Sequence, residues 1–164
     1  HTEDTNRAPA LPALTDSQRK TVKEFLVLAD ALAVSLAADD VKEFNTQAAK
    51  THVATPALLN AFDGTNAWQA LLQPIEKVGH QSAAENLKDA RKVFHPFSEA
   101  SVALAQALRR ADKEFASVKI FRCPMTKDAF PGAPNRADWV QLQPEVRNPW
   151  FGKEMLDCGS EVKP

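Results

Sequence analysis

Between Leu87 and Phe115 the small and apolar residues recur at steps of three and four: Leu87, Ala90, Phe94, Phe97, Ser101, Leu104, Leu108, Ala111 and Phe115. A strand cannot gather such a series on one face, because its side chains alternate every two residues. A helix can, and the resulting stripe must be buried against a partner. Pro96 removes one backbone hydrogen bond from this helix, to the carbonyl of Lys92, and is expected to bend it.

Upstream segments supply the partners. Thr15 and Gln18 have the spacing of a capping box, followed by Val22, Phe25, Ala29, Leu32 and Leu36 at helical intervals. Asp39 is placed to cap a second helix carrying Val41, Phe44, Ala48, Thr55, Leu59 and Phe62. Gly64 breaks the chain. A third helix carries Trp68, Leu71, Leu72, Ile75 and Val78, kinked or made irregular by Pro74 and ended by Gly79 or the polar residues after it. Four such segments with short connections bury their stripes against each other. The expected fold is therefore all-α: an antiparallel four-helix bundle with an irregular C-terminal lobe. A three-helix array with one long broken helix is the alternative.

Composition sets the domain boundaries. Residues 1–14 are polar or rich in Pro and Ala and read as a flexible linker. Residues 15–118 read as the bundle. In residues 119–164 proline, glycine and tryptophan appear repeatedly and periodicity is lost, which reads as a lobe packed on the bundle. With 164 residues and 44% apolar side chains, the chain holds one domain, or one domain with an appendage. Its 20 basic and 21 acidic residues leave a net charge of -1, which argues against nucleic acid or an anionic membrane as partner. No apolar run approaches a membrane span. The chain starts at His1, which reads as a processed or excised product with any targeting sequence outside it. His1 and the terminal amine are at most a weak metal site.

All the sulfur lies in the last third, as Cys123 with Met125 and Met155 with Cys158. Pro124 pushes Cys123 into extended backbone, and an extended Met125 would project its sulfur to the same side. One helical turn through GKEMLDC would place Met155 and Cys158 on a common face, stopped by Gly159. Thiolate and thioether donors together suit Cu(I) or Ag(I) and suit zinc poorly. The same cysteines can instead form a Cys123–Cys158 disulfide closing the lobe, worth about 3–4 kcal/mol by loop entropy, with the methionines as packing residues. Inert thiols are the third reading. Trp139, Trp150 and Phe151 supply apolar surface for lobe packing or partner contact. Asn148 and Pro149 mark a turn, Gly152 permits a close approach, and Asp138 is placed to cap the WVQLQ segment.

His52, His80 and His95 follow no metal-ligand spacing and read as ordinary histidines, with His95 best placed for another role because the Pro96 bend can aim it at the lobe. Neither cysteine has an orienting histidine and carboxylate, and no acid–base pair stands out. The chain reads as a binding domain rather than an enzyme.

The string FRCPM…ADW…EVRNPWFGKEMLDCG resembles a family of bacterial heavy-metal-associated periplasmic domains. These occur alone or at the C-terminal end of adaptor subunits of copper/silver efflux pumps. The matching positions are Cys123, Pro124, Met125, Trp139, Asn148 through Gly152, Met155, Leu156, Cys158 and Gly159. Upstream, DARKVFHPFSEASVAL is similar to the family's helix leading toward the metal-associated lobe, notably at Arg91, Phe94 and Ser98. Trp150 stands where tyrosine is common, which keeps an aromatic wedge without the phenolic hydroxyl. The resemblance covers roughly residues 15–160. It implies a periplasmic Cu(I)- or Ag(I)-binding or sensing domain with Cys123, Met125, Met155 and Cys158 as metal ligands. Its expected partners are efflux adaptor or pump components. A disulfide-stabilised adaptor or interaction module is the alternative.

Overall fold

The computed structural model describes residues 10–62 and 66–164. The break at Gly64 and the His1 amine lie outside the described residues. Four helices come first: α1 (Asp16–Ala37), α2 (Val41–Ala61), α3 (Asn66–Val78) and α4 (Leu87–Ala111). A short 3-10 turn, Lys113–Phe115, leads into β1 (Lys119–Cys123), followed by β2 (Ala137–Gln141) and β3 (Ser160–Glu161). The strands form an antiparallel sheet in the order β2-β1-β3.

This sheet corrects the all-α expectation. The C-terminal lobe is not irregular, and the molecule is not a purely helical bundle. The strands escaped the sequence reading because β1 and β2 are five residues each and buried on both faces, with β1 interrupted at Lys119 and Arg122 alone. A strand covered on both sides shows no clean alternation of apolar and polar residues. Asp138, expected to cap a WVQLQ helix, lies inside β2 and pairs with Arg122 on the neighbouring strand at 2.8 Å. Opposite charges directly across an antiparallel pair fix its register. On the other face Phe121 stacks on Trp139 with ring centroids 5.8 Å apart.

The helices follow their stripes closely. Thr15 caps α1 with the full box: its hydroxyl accepts from the Gln18 N–H, and the Gln18 side chain accepts from the Thr15 N–H. Asp40, not Asp39, caps α2, accepting from the Glu43 N–H at 2.9 Å. Asp39 instead takes a left-handed conformation, φ 57°, and turns its carboxylate toward the lobe. Pro56, Pro74 and Pro96 all lie within continuous helices. Each costs its helix one ladder hydrogen bond without ending it, so tertiary burial outweighs propensity here. Phe115 is buried as expected but sits in the 3-10 turn beyond the end of α4.

In the packing, α1 lies along α2 and α4, α3 closes on α4 and α2, and β2 crosses both α4 and α1. One core therefore runs from the helices into the sheet. It includes Phe25, Phe94, Phe97 and Leu104 from the helices and Ile120, Phe121, Trp139 and Trp150 from the lobe. The three residues Arg91, Phe94 and Ser98 lie on the lobe-facing side of α4. Phe94 packs on Trp150 with centroids 5.5 Å apart, and the Ser98 hydroxyl donates to the Asp138 carbonyl at 2.7 Å.

Candidate thiol site

β1 is the central strand and ends on Cys123, whose side chain is fully buried. β3 pairs with it so that Arg122 faces Ser160. Cys158 lies two residues before β3, so the pairing of β3 with β1 returns this stretch of chain to the end of β1. The two cysteines consequently approach to 4.0 Å, with both thiols free. A disulfide needs about 2.05 Å between sulfurs, so no bond joins them in this structure.

The backbone around Cys158 is held by one side chain. Asn148 donates from Nδ2 to the Cys158 carbonyl at 2.7 Å. Its Oδ1 accepts from the N–H groups of Trp150 and Phe151, at 2.8 and 3.2 Å. Its own N–H donates to the Leu156 carbonyl at 2.7 Å. Asn148 is fully buried, and these bonds use its side chain on both ends. Gly159 fits because Trp139 lies against it: an added Cβ would come within 2.9 Å of the indole.

A second junction ties this loop to the helices. The buried Arg91 guanidinium donates to the carbonyls of Pro149 at 2.7 Å and Leu36 at 3.0 Å, and to the Asp39 carboxylate at 2.8 Å. The other Asp39 oxygen accepts from the Lys153 N–H at 3.1 Å. Gly152, at φ +58°, passes so near that a Cβ would collide with both Asp39 and Arg91. A planar, five-donor group is what such a junction between three segments requires. Trp150 next to it is fully buried and packs on Phe94, His95 and Phe130, which makes it a wedge between lobe and helix. Trp139 is fully buried as well, and Phe151 half-buried.

The sulfurs are thus not arranged as the local geometry predicted. Met125 is not extended, with φ -133° and ψ 42°, and it is 55% exposed whereas Cys123 is buried. GKEMLDC does not form one α-helical turn: a 3-10 turn covers Gly152–Glu154, and Met155 follows with φ -147° and ψ 51°. Met155 is half-buried, and its carbonyl accepts from the Cys158 N–H at 3.0 Å. Tertiary strand pairing brings the thiols together, where the sequence reading had joined each thiol to its neighbouring thioether. Burial pushes the Cys158 thiol above its ordinary pKa, and the adjacent Cys123 sulfur adds to the shift. A second negative charge at this distance is disfavoured unless a cation or a covalent bond removes the repulsion.

The histidines lie elsewhere. His95 pairs with Glu99 at 3.0 Å, beside a surface cavity of about 310 Å³ that Arg122, Arg136 and Asp138 also line. His52 and His80 meet each other across α2 and the α3–α4 connection. Among the described residues, no three His, Cys, Asp or Glu side chains converge as a metal cage. Among them also, no helix is long and apolar enough to cross a membrane.

Compared with known proteins, the chain matches no family model, no curated protein and no solved structure. Asp39 was read in the sequence as a helix cap and not as the partner of Arg91, and Gln141 was missed. Gln141 accepts from the Trp139 indole N–H at 3.0 Å and donates to the Gln143 carbonyl at 2.7 Å. Nothing local distinguishes Gln141 from an ordinary surface residue.

Proposed function

We propose that this chain binds or senses Cu(I) or Ag(I) in the periplasm and works with the adaptor or pump of a heavy-metal efflux system. Cys123 and Cys158 are its principal ligands, and Met125 and Met155 are added thioether donors. The observation that carries the reading is the approach to 4.0 Å of two thiols far apart in sequence, one at the end of β1 and one in the loop before β3. An ion bonded to sulfur at about 2.3 Å can touch two sulfurs that far apart without moving the backbone. Two thiolates select soft monovalent ions, and the exposed Met125 gives an incoming ion a first contact at the surface. Metal would replace the thiol protons, so binding tightens as pH rises. The role is capture and transfer rather than catalysis.

The same pair supports a second reading, a disulfide-stabilised adaptor or interaction module. Loss of two protons and two electrons to an external oxidant would join the sulfurs after a small side-chain adjustment. The bridge would clamp the β3 end of the chain to β1.

Anaerobic competition titration with Cu(I) and Ag(I) separates the readings. Reduced protein should bind about one ion, and Cys123→Ser/Cys158→Ser should lose at least about a hundredfold in affinity, roughly 2.7 kcal/mol. Met125→Leu/Met155→Leu should weaken binding less. Absence of competitive binding by the reduced protein sinks the metal reading. The bridge reading is tested by intact mass after alkylation in denaturant, on protein isolated without reductant. Two alkylated cysteines there would reject a resident disulfide.

A further inference from the structure

The α3–α4 connection is tied to α2 along its length. The Thr55 hydroxyl donates to the Gly79 carbonyl at 2.6 Å, and the Thr51 hydroxyl accepts from the Gln81 N–H at 2.9 Å. Further along, Asn45 makes two bonds to Ala84, through its N–H and its carbonyl, at 2.8 and 2.9 Å. Both Thr51 and Thr55 are fully buried. His80 lies between the two anchored peptides, and His52 follows Thr51 on the same helix. The result is a pair of exposed imidazoles with Nδ1 atoms 2.9 Å apart and ring centroids 5.0 Å apart.

We propose that His52 and His80 form a second metal site, selective for a borderline divalent cation and for Cu(II) first. It differs in ligand class from the thiol pair and does not depend on it. Metal–imidazole bonds are about 2.0–2.1 Å, and two of them at a right angle span about 2.9 Å, the observed separation. A tetrahedral angle would need about 3.3 Å between the nitrogens. The spacing therefore fits the adjacent corners of a tetragonal Cu(II) or Ni(II) site better than zinc. In the metal-free pair one ring donates its Nδ1 proton to the other. On binding, that ring carries its proton on Nε2 instead, and both Nδ1 lone pairs face the ion. Anchoring of Gly79 and Gln81 means that little ordering is left for the metal to impose. Among the described residues no third His, Cys, Asp or Glu joins the pair, so the remaining positions are left to water or an outside donor.

The test uses the full chain carrying Cys123→Ser/Cys158→Ser and His1→Ala, which removes the thiols and the terminal imidazole. Cu(II) is titrated against glycine as competitor, with electron paramagnetic resonance on the complex. One Cu(II) per chain is expected, with nitrogen hyperfine structure from two imidazoles. His52→Gln and His80→Gln should each weaken binding by at least about tenfold, the least that loss of even an outer-shell partner costs a metal site. His95→Gln should leave it unchanged. Circular dichroism of the metal-free variants checks that they fold. A spectrum without imidazole coupling overturns the proposal even if a variant misfolds, and so does undiminished affinity in both His52→Gln and His80→Gln. Failure here leaves the thiol reading standing, because the cysteines are absent from the assay.

Discussion

The helical body and the C-terminal lobe solve the same packing problem by different means. In the body, burial is distributed: Phe25, Leu32, Phe44, Phe97, Leu104 and Leu108 are each almost wholly buried in one apolar interior. In the lobe and at its seam with the helices, a few polar side chains each hold several backbone groups, Asn148 within the lobe and Arg91 reaching it from α4 above all. Apolar contacts tolerate small shifts, since dispersion is non-directional and summed over many atoms. A buried hydrogen-bond junction does not, since each partner left unpaired loses its solvation as well. The body should therefore respond to substitution in proportion to volume, and the lobe according to geometry.

The largest expected effect tests the body. Phe97→Ala should cost about 3–5 kcal/mol in denaturant unfolding, and Leu104→Ala about 2–5 kcal/mol. Arg91→Lys comes next, at about 2–3 kcal/mol, although charge and length are nearly conserved. A lysine cannot serve the Pro149 and Leu36 carbonyls and the Asp39 carboxylate in one plane. A loss below about 0.5 kcal/mol would erase the contrast between the regions. Asn148→Ala sharpens it differently. Release of the Cys158 carbonyl should speed alkylation of that thiol beyond what the loss of global stability explains. Equal acceleration at both cysteines would indicate general loosening instead.

The smallest effects concern two carboxylates with opposite pH behaviour. Asp30 accepts from the Leu142 N–H at 2.9 Å where α1 meets the lobe, and burial raises its pKa. Its contribution to stability is fully present below the ordinary carboxylate range and is lost as pH rises through the raised folded value. Asp30→Asn keeps the acceptor without the charge and should gain stability at neutral pH. Asp112, paired with Arg19 at 2.8 Å between α4 and α1, is held below its usual pKa by that bond. Its contribution is present at neutral pH and lost as pH falls through the depressed folded value, so Asp112→Asn should destabilise more at pH 7 than at pH 3. Unfolding followed at both pH values checks both signs.

The helices were legible because each carries its own signal: stripes at steps of three and four, a capping box at Thr15, and prolines that burial overrides. The sheet was not, because its order is a long-range property. KIFRC and ADWVQ are rich in β-branched and aromatic residues, a local cue for strands that the loss of helical periodicity obscured. The two residues of β3 carry no cue at all. With β3 unseen, the meeting of Cys123 and Cys158 could be reached through a bridge or through likeness to a family, but not through geometry. The backbone geometry expected at Met125 and Met155 differs from the observed one for the same reason. Local spacing assigned Met125 to the side of Cys123, whereas the strand ends at Cys123 and the chain turns outward.

The central claim is that the two thiols act as one site. X-ray absorption at the copper edge, on reduced protein loaded with one equivalent of Cu(I), tests it most directly. We expect a first shell of sulfur with two short thiolate bonds. That shell should survive Met125→Leu/Met155→Leu and vanish in Cys123→Ser/Cys158→Ser. A first shell of nitrogen, or a sulfur shell unchanged after both cysteines are replaced, would contradict the account.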